Sequence, residues 1–304
     1  MTPRIVAVVN AGSGTGNDAD IAERLRALFA AAGASVEVRV ASGGDQIAAG
    51  IEAAVAARPD VVVAGGGDGT VSSVAAALVD TGIALGVLPL GTLNHFAKDL
   101  GMPLELEAAV RAIVEGECVA VDVGEVNGRV FINNSSLGLY PDIVRDRERQ
   151  QKRLGRGKWP ALAWASLAAL RRYPFLGVRL RIDGVDRIFR TPFVFIGNNA
   201  YEMEGFAIGE RRALDGARLS LYAAHRPGRW RLLLLVLHAL FGRLRQARDF
   251  DALLATEIVV ESRRHRLRVA TDGEVTVMTP PLRYRCRPAS LRVIRPLPER
   301  AGDP

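Results

Sequence analysis

The sequence predicts an N-terminal α/β domain with a parallel sheet, followed by an antiparallel, β-sandwich-like domain. Up to about residue 120, short apolar runs alternate with Ala-rich stretches of helical periodicity, which is typical of a parallel sheet covered by helices on both faces. Beyond it, strand-like runs are joined at Gly128 and at Asp183-Gly184, which indicate hairpin turns. We expect domains over residues 1–122 and 123–285, with residues 286–304 returning to the first domain.

The first domain alternates strands and helices. Apolar, β-branched runs predict strands at residues 5–9, 36–40, 60–63 and 83–88. Ile21, Leu25 and Leu28 recur at helical spacing, and Gly33 follows as a stop signal. Similar patterns predict helices at residues 20–32, 46–57, 70–79, 93–100 and 106–115.

The second domain is richer in strands. Its patterns predict strands at residues 119–126, 129–134, 178–182, 187–196, 218–223, 257–261, 267–270 and 291–295. Two helices are predicted to interrupt them, at residues 158–172 and 229–244. Neither an internal repeat nor a low-complexity linker occurs in the sequence.

The composition excludes several classes of protein. Of the 304 residues, 49% are hydrophobic and 24% are charged, which is globular rather than disordered composition. Cys118 and Cys286 cannot form a disulfide framework or a zinc-binding pair, so we expect a reducing compartment. No apolar run approaches the ~20 residues that span a bilayer, and the N-terminus has no signal-peptide pattern. We therefore expect a cytoplasmic protein that contacts membranes at most peripherally.

The net charge of +7 rests mainly on arginine. Guanidinium groups suit phosphates, carboxylates, anionic membranes and nucleic acids, so charge alone does not choose a partner. No motif that combines aromatic and basic residues for reading nucleic acid is present, and we expect no nucleic-acid partner.

The strongest motif follows a predicted strand and opens a helix: Val61-Val62-Val63-Ala64-Gly65-Gly66-Gly67-Asp68-Gly69-Thr70. Glycines let the backbone approach a phosphate, and the N-terminus of the following helix attracts anions. Asp68 supplies a carboxylate for Mg²⁺ bound to a nucleotide, and Thr70 suits a helix cap. A plain capped turn is the alternative, although it needs fewer glycines. The run is neither a P-loop nor a GxGxxG motif.

Two further loops have the same context. The run Leu88-Pro89-Leu90-Gly91-Thr92-Leu93-Asn94-His95-Phe96-Ala97 follows a strand and opens a helix, and Asn10-Ala11-Gly12-Ser13-Gly14-Thr15-Gly16 follows the first strand. Because ligands bind beyond the carboxyl ends of parallel strands, we expect the three loops to meet at one edge of the sheet. The sequence therefore predicts a nucleotide-binding crevice there.

Together these motifs resemble the diacylglycerol kinase catalytic family, which includes bacterial lipid kinases and sphingosine kinases. The resemblance continues in family order over nearly the whole chain, through Asn133-Asn134-Ser135-Ser136-Leu137-Gly138, Gly197-Asn198-Asn199, Leu214-Asp215-Gly216 and Asp272-Gly273-Glu274. It implies an ATP-binding first domain and a lipid kinase activity.

The resemblance also implies which residues bind ATP and its Mg²⁺. In this family the Gly-Asp-Gly-Thr loop binds the phosphates, and Asp68 here would act in catalysis near the metal. The residues implied to contact ATP are Asn10, Ala11, Gly12, Ser13, Gly14, Gly66, Gly67, Asp68, Gly69, Thr70, Val71, Ser72, Ser73 and Thr92.

Two more sites are implied in the second domain. Glu274 matches the family's general base, and a carboxylate suits removal of the proton from an attacking alcohol. Taken alone, Asp-Gly-Glu is more typical of a hairpin turn. The Asp215 side chain and the carbonyls of Arg212 and Ala217 match a structural Mg²⁺ loop, since oxygen ligands suit hard cations. A solvated Asp-Gly turn is the alternative.

Several positions depart from the family pattern. Ala11 replaces the usual Pro, Ser73 stands where relatives carry Glu, and His95 replaces Asp in the second loop. Val40 stands where relatives carry Thr. Loss of two acids weakens recruitment of Mg²⁺, so either Asp68 contributes more or activity is low. We expect His95 to be hydrogen-bonded rather than bound to metal.

Two segments are candidates for contact with a membrane. Residues 230–241, WRLLLLVLHALF, are flanked by arginines and resemble an interfacial helix, with a core helix as the alternative. Residues 145–158 hold seven basic groups, which favour a loop that faces anionic lipid over a plain solvated surface.

We therefore expect an ATP- and Mg²⁺-dependent kinase that phosphorylates diacylglycerol or a similar lipid alcohol presented at a membrane surface. One alternative is a soluble enzyme similar to NAD kinase or phosphofructokinase. The other is a catalytically weak nucleotide- or lipid-binding protein on the same scaffold. Because members of the family commonly pair through the second domain, the resemblance allows a homodimer.

Overall fold

The computed structural model describes residues 3–11, 18–138, 176–191, 193–204, 207–211, 213–224 and 250–297. The chain divides into two compact units, the first made of Met1–Val123 with Pro288–Pro304 and the second of Gly124–Arg287. The helices expected at residues 158–172 and 229–244 lie outside the described residues, as do the basic stretch 145–158 and the apolar stretch 230–241.

A parallel sheet forms the centre of the first unit. Its strands are β1 (Ile5–Asn10), β2 (Val36–Ala41), β3 (Val61–Gly66) and β4 (Ala84–Pro89). They lie in the order β2-β1-β3-β4, and each neighbouring pair is parallel. Strands β1, β3 and β4 are buried along almost their whole length, which explains their continuous apolar sequences.

Helices alternate with these strands as predicted. They are α1 (Asp18–Ala31), α2 (Gly44–Ala56), α3 (Asp68–Leu78), α4 (His95–Asp99) and α5 (Leu106–Glu115). Leu25 and Phe29 of α1 are fully buried, which confirms the helical spacing seen in the sequence. Helix α3 begins at Asp68 rather than at Thr70, because the first turn of a helix favours an acidic side chain.

The second unit is built from antiparallel strands. The remaining strands along the chain are β5 (Glu117–Val126), β6 (Arg129–Phe131), β7 (Asn134–Gly138), β8 (Leu176–Ile182), β9 (Val185–Thr191), β10 (Phe193–Asn198), β11 (Tyr201–Glu204), β12 (Ala207–Arg211), β13 (Leu219–Ala224), β14 (Phe250–Ala255), β15 (Glu257–Ser262), β16 (Leu267–Thr271), β17 (Glu274–Met278) and β18 (Leu282–Arg295). One sheet has the order β14-β13-β10-β7-β16-β17, and another series runs β18-β15-β8-β9. A shared apolar core includes residues from both, such as Leu137 and Leu180. The expected combination of a parallel α/β part and an antiparallel β part is confirmed.

The chain passes between the units within β5 and again within β18. The last part of β18 lies in the first unit, where Arg292 and Val293 pair in parallel with Ala84 and Leu85 of β4. The C-terminal strand predicted at residues 291–295 is therefore the end of a longer strand.

Two predicted strands are each divided in the structure. The strand expected at residues 129–134 ends at Phe131, and β7 begins at Asn134, because the backbone N–H groups between them donate to the Asp272 carboxylate instead of to a neighbouring strand. The strand expected at residues 187–196 is also divided, since β9 ends at Thr191 and β10 begins at Phe193. The sequence analysis also missed strands β11, β12, β14 and β17, and all of β7 beyond Asn134.

Close packing at a glycine of the second unit gives a stability prediction. A Cβ on Gly124 would lie 2.2 Å from the Phe131 ring, so we expect Gly124→Ala to lower the free energy of unfolding by roughly 1–3 kcal/mol. Gly177→Ala is the control, because nothing lies within 4 Å of its added Cβ. Urea unfolding of both variants measures the difference, and equal stability would contradict the packing described here.

A buried tyrosine gives a prediction about pH. Tyr284 is fully buried, and its hydroxyl lies 3.1 Å from Ser135 Oγ, which itself donates to the Ala270 carbonyl. Burial raises the pKa of Tyr284 well above its usual range, although the hydrogen bond to Ser135 opposes this. Its stabilising effect is therefore complete below the unfolded pKa of about 10 and is lost as pH rises toward the folded pKa.

We expect Tyr284→Phe to lower the free energy of unfolding near neutral pH by about 1 kcal/mol, because a buried hydrogen bond is lost. The difference from wild type should shrink above pH ~10, since phenylalanine cannot ionise in the unfolded state. Urea unfolding at pH 8 and at higher pH measures this change. A difference that does not vary with pH would contradict the assignment.

Candidate functional site

The loops after β3 and β4 meet at the carboxyl edge of the parallel sheet. A Cβ on Gly91 would lie only 2.4 Å from the Gly67 Cα, so the two backbones are in contact. Asn10, at the end of β1, donates from Nδ2 to Thr70 Oγ1 at 3.3 Å. The structure therefore brings Asn10, Gly67, Thr70 and Gly91 together. Gly12, Ser13 and Gly14 lie outside the described residues.

Asn94 organises the loop after β4. It has a left-handed backbone, with φ of 52°, and its Oδ1 accepts from the Gly91 N–H at 3.0 Å. Its Nδ2 donates to the Gly91 carbonyl at 2.9 Å and to the Pro89 carbonyl at 3.3 Å. The sequence analysis quoted Asn94 but assigned it no role. The signal was an Asn directly before a helix, since Asn tolerates this backbone conformation and bonds to nearby backbone groups.

Asp68 lies at the first turn of α3, between the two glycine turns. Its Oδ1 accepts from the Phe96 N–H of α4 at 3.4 Å, which links the two loops. The first turn of a helix leaves N–H groups without intrahelical acceptors and carries partial positive charge. A carboxylate beside such a turn is suited to hold a cation that an anionic ligand brings with it.

The other residues expected to contact ATP differ in their surroundings. Thr92 is exposed and Ala11 is half-buried. Val71 is 3% exposed and belongs to the core instead of the loop surface. Ser73 donates to the Gly69 carbonyl at 2.9 Å, so its hydroxyl is directed at the backbone of α3. The Ser72 hydroxyl is buried with no hydrogen-bond partner within the described part of the chain.

In the second unit, Glu274 begins β17 directly after a tight turn. The turn residues Asp272 and Gly273 both have positive φ. The Asp272 carboxylate accepts from three successive backbone N–H groups, those of Ile132, Asn133 and Asn134, at 2.8–3.0 Å. The hairpin turn expected of Asp-Gly-Glu is therefore present, and it is fixed to the segment between β6 and β7.

The Glu274 side chain itself is exposed. It is 61% exposed to solvent and forms an ion pair with Arg129 of β6. Asp272 therefore holds the backbone of this turn, while the Glu274 carboxylate is open to solvent and paired with Arg129.

A buried arginine lies beside this turn. Arg211 is 5% exposed, and it donates to the carbonyls of Ile132 at 2.6 Å and Asn198 at 3.2 Å. It also donates to Asn133 Oδ1 at 2.9 Å, and its guanidinium lies 5.4 Å from the centre of the Tyr201 ring. The sequence analysis assigned Arg211 no role, because nothing local distinguishes it from the surface arginines.

The predicted metal loop is partly described. Asp215 is exposed, Ala217 has a left-handed φ of 53°, and Arg212 lies outside the described residues. Across the described ranges, no group of three or more His, Cys, Asp and Glu side chains is arranged to hold a metal ion. Asp68 belongs to the first unit and Glu274 to the second, and their juxtaposition stays a prediction.

Comparison with known protein families agrees with this architecture. Residues 4–126 match the diacylglycerol kinase catalytic domain. Residues 143–295, half of the chain, match the YegS C-terminal NAD kinase beta sandwich-like domain. The chain belongs to the diacylglycerol kinase catalytic-domain family. It therefore contains the catalytic domain of a kinase family, as the sequence motifs predicted.

Members of the family with related sequences include a Chromohalobacter salexigens protein named "Probable lipid kinase YegS-like". It is 32% identical over 64% of this chain and 62% of its own length. An uncharacterized Synechocystis protein, sll0036, is 28% identical over 73% of this chain and 52% of its own length. These alignments thus cover less than two thirds of each relative.

Solved structures share the fold. Two structures from Bacillus anthracis str. Sterne, one of them described as a diacylglycerol kinase, have TM-scores of 0.69 and 0.75. Each is aligned over 96% of this chain and 97% of its own, at 19% and 20% identity. Within the described ranges, every helix of the present chain is too short or too polar to cross a membrane.

The contact between the two glycine turns gives a prediction about stability. An added Cβ at Gly91 would meet the Gly67 Cα at 2.4 Å and Asn94 Oδ1 at 2.9 Å. Because a backbone atom cannot yield as a side chain can, we expect Gly91→Ala to lower the free energy of unfolding by roughly 1–3 kcal/mol. Gly69→Ala is the control, since its Cβ meets nothing within 4 Å. Thermal unfolding compares them, and a Gly91→Ala variant as stable as the control would refute the contact.

Proposed function

We propose that the protein is an ATP- and Mg²⁺-dependent lipid kinase that transfers the γ-phosphoryl group to a hydroxyl of diacylglycerol or a similar lipid. The observation that carries the proposal is the contact between the Gly67 and Gly91 turns beside Asp68, in a chain of the diacylglycerol kinase catalytic-domain family. Relatives named lipid kinase and diacylglycerol kinase support the choice of acceptor.

ATP would bind at the carboxyl edge of the parallel sheet. The backbone of residues 67–70 supplies N–H groups at the start of α3, and glycine at positions 67 and 69 leaves room for phosphate oxygens. Asn10 and Thr92 would contact the nucleotide from the neighbouring loops; the hydrogen bond from Asn10 to Thr70 and the exposure of Thr92 support this.

The residues present fit a Mg²⁺ ion that arrives with the nucleotide. Mg²⁺ in kinases is commonly held by one or two carboxylates together with phosphate oxygens, and Asp68 supplies one carboxylate beside the phosphate loop. When bound, Mg²⁺ neutralises charge on the phosphates. Ser73 and His95 replace the acids of the family pattern, so Asp68 is the acid on which this site relies.

Glu274 would act as the general base. The lipid hydroxyl oxygen forms a bond to the γ-phosphorus, the bond from that phosphorus to the ADP oxygen breaks, and the hydroxyl proton passes to the Glu274 carboxylate. The hydrogen bonds of Asp272 support this role, because they hold the turn from which the exposed Glu274 side chain extends.

In the second unit, we propose a structural Mg²⁺ loop formed by the Asp215 side chain and the carbonyls of Arg212 and Ala217. The exposed Asp215 carboxylate and the left-handed turn at Ala217 are compatible with oxygen ligation by a tight loop. We also propose peripheral contact with a membrane through residues 145–158 or 230–241, because the lipid acceptor resides there.

A soluble acceptor is the second candidate. The description of the matching C-terminal domain as NAD kinase beta sandwich-like favours an NAD-kinase-like reaction as the alternative. Phosphorylation of NAD faster than of any lipid in mixed micelles would replace the lipid proposal. ATP binding without turnover on any acceptor would instead indicate a nucleotide-binding protein.

The catalytic proposal predicts the effects of two substitutions. With labelled ATP and lipid micelles, Glu274→Gln should lower kcat by about 10²–10⁴-fold, because no base accepts the proton. Asp68→Asn should raise the Mg²⁺ concentration needed for half-maximal rate and lower the rate. If both residues serve one chemical step, the rate of the double variant should be only slightly below the rate of the less active single variant.

Two conservative variants are matched controls. Asp45 lies in the first turn of α2 as Asp68 does in α3, and Glu261 is an exposed acid of the second unit. Asp45→Asn and Glu261→Gln should retain wild-type turnover. Full activity in Glu274→Gln would remove its assigned role, whereas equal losses in the controls would show a general effect of charge.

A further inference from the structure

A buried amide with no hydrogen-bond partner among the described residues lies against the loop at residues 213–217. Asn199 is 1% exposed, and neither its Oδ1 nor its Nδ2 has a hydrogen-bond partner in the described part of the chain. An amide buried without hydrogen bonds is unfavourable, so buried amides normally have a partner, bound water or ion. The Asn199 amide is therefore placed to receive a ligand.

Backbone contacts hold Asn199 in this position independently of its side chain. The residue has a left-handed φ of 66°. Its N–H donates to the Arg218 carbonyl at 2.9 Å, and its carbonyl accepts from Ser220 Oγ at 2.7 Å. Asn199 is thus joined to the segment that leaves the 213–217 loop, and its amide is preorganised with respect to that loop.

The amide faces the tip of the loop. A Cβ on Gly216 would lie 3.0 Å from Asn199 Oδ1, which is the nearest heavy atom to it. Asp215, the preceding residue, has an exposed side chain, and the left-handed backbone of Ala217 turns the chain sharply after it. Amide, carboxylate and backbone carbonyl oxygens in a tight loop are the usual ligands of hard divalent cations.

We propose that Asn199 is an oxygen ligand of a divalent cation held by the 213–217 loop. The inference rests on the proposed structural metal loop, to which it adds a ligand from the end of β10. Asp215 supplies a charged carboxylate, while Asn199 supplies a neutral amide oxygen that is already buried beside Gly216. Binding would satisfy the buried amide and would join the loop to β10.

Mn²⁺ titration followed by electron paramagnetic resonance, without nucleotide, tests the proposal. Asn199→Gly removes the amide and tolerates the left-handed backbone, and it should weaken Mn²⁺ binding at least tenfold. Asn199→Asp keeps an oxygen and adds charge, so it should bind Mn²⁺ at least as tightly as wild type, and Mg²⁺ should raise its Tm more than that of wild type.

Asn127→Gly is the control, because Asn127 also has positive φ but lies in the β5–β6 turn. This variant should bind Mn²⁺ as wild type does.

The outcomes separate the two proposals. If Asp215→Ala binds Mn²⁺ as wild type does, the proposed metal loop is wrong. If Asp215→Ala loses binding and Asn199→Gly retains it, the loop stands and the role of Asn199 is overturned. Should Asn199→Gly fail to fold, Asn199→Asp decides between the outcomes. If Mg²⁺ raises the Tm of Asn199→Asp no more than it raises the Tm of wild type, Asn199 is not a ligand of the cation.

Discussion

The close approach of two backbones, at Gly67 and Gly91, is the constraint on which the candidate site of the first unit depends. It holds the turn after β3 against the turn after β4, and it requires glycine at position 91, where an added Cβ would lie 2.4 Å from the Gly67 Cα. Asn94 then fixes the second turn, and Asp68 is left at the start of α3 with its carboxylate near α4. A helix N-terminus, glycine loops and one acid thus occupy one edge of the sheet.

In the second unit, long-range hydrogen bonds satisfy backbone groups where the chain passes from one sheet to the other. The Asp272 carboxylate satisfies three successive N–H groups that would otherwise need partners between β6 and β7. The buried Arg211 does the same for nearby carbonyl groups. These charged groups replace strand pairing where the chain changes sheets. As a result, Glu274 follows a turn held by three hydrogen bonds, while its own side chain is exposed to solvent.

The departures from the family pattern bear on how the proposed site would hold Mg²⁺. The Ser73 hydroxyl is committed to the backbone of its own helix, so this position contributes to α3 rather than to metal binding. A nucleotide-bound Mg²⁺ would then depend on phosphate oxygens and Asp68. The cation proposed at the 213–217 loop is assigned to other residues, Asp215 and Asn199, and its binding is expected without nucleotide.

From the amino-acid sequence we could predict the alternation of strands and helices in the first unit, the antiparallel character of the second, the glycine turns and the family. These features depend on the periodicity of apolar residues and on glycines a few residues apart, which are local patterns in the sequence. Only the folded chain reveals the break after Phe131, the burial of Val71 and the Asn199 amide that has no hydrogen-bond partner among the described residues. Asp272, for example, bonds to backbone groups about 140 residues away, and no local pattern encodes a partner at that distance, because long-range hydrogen bonds form only once the strands between them have folded together.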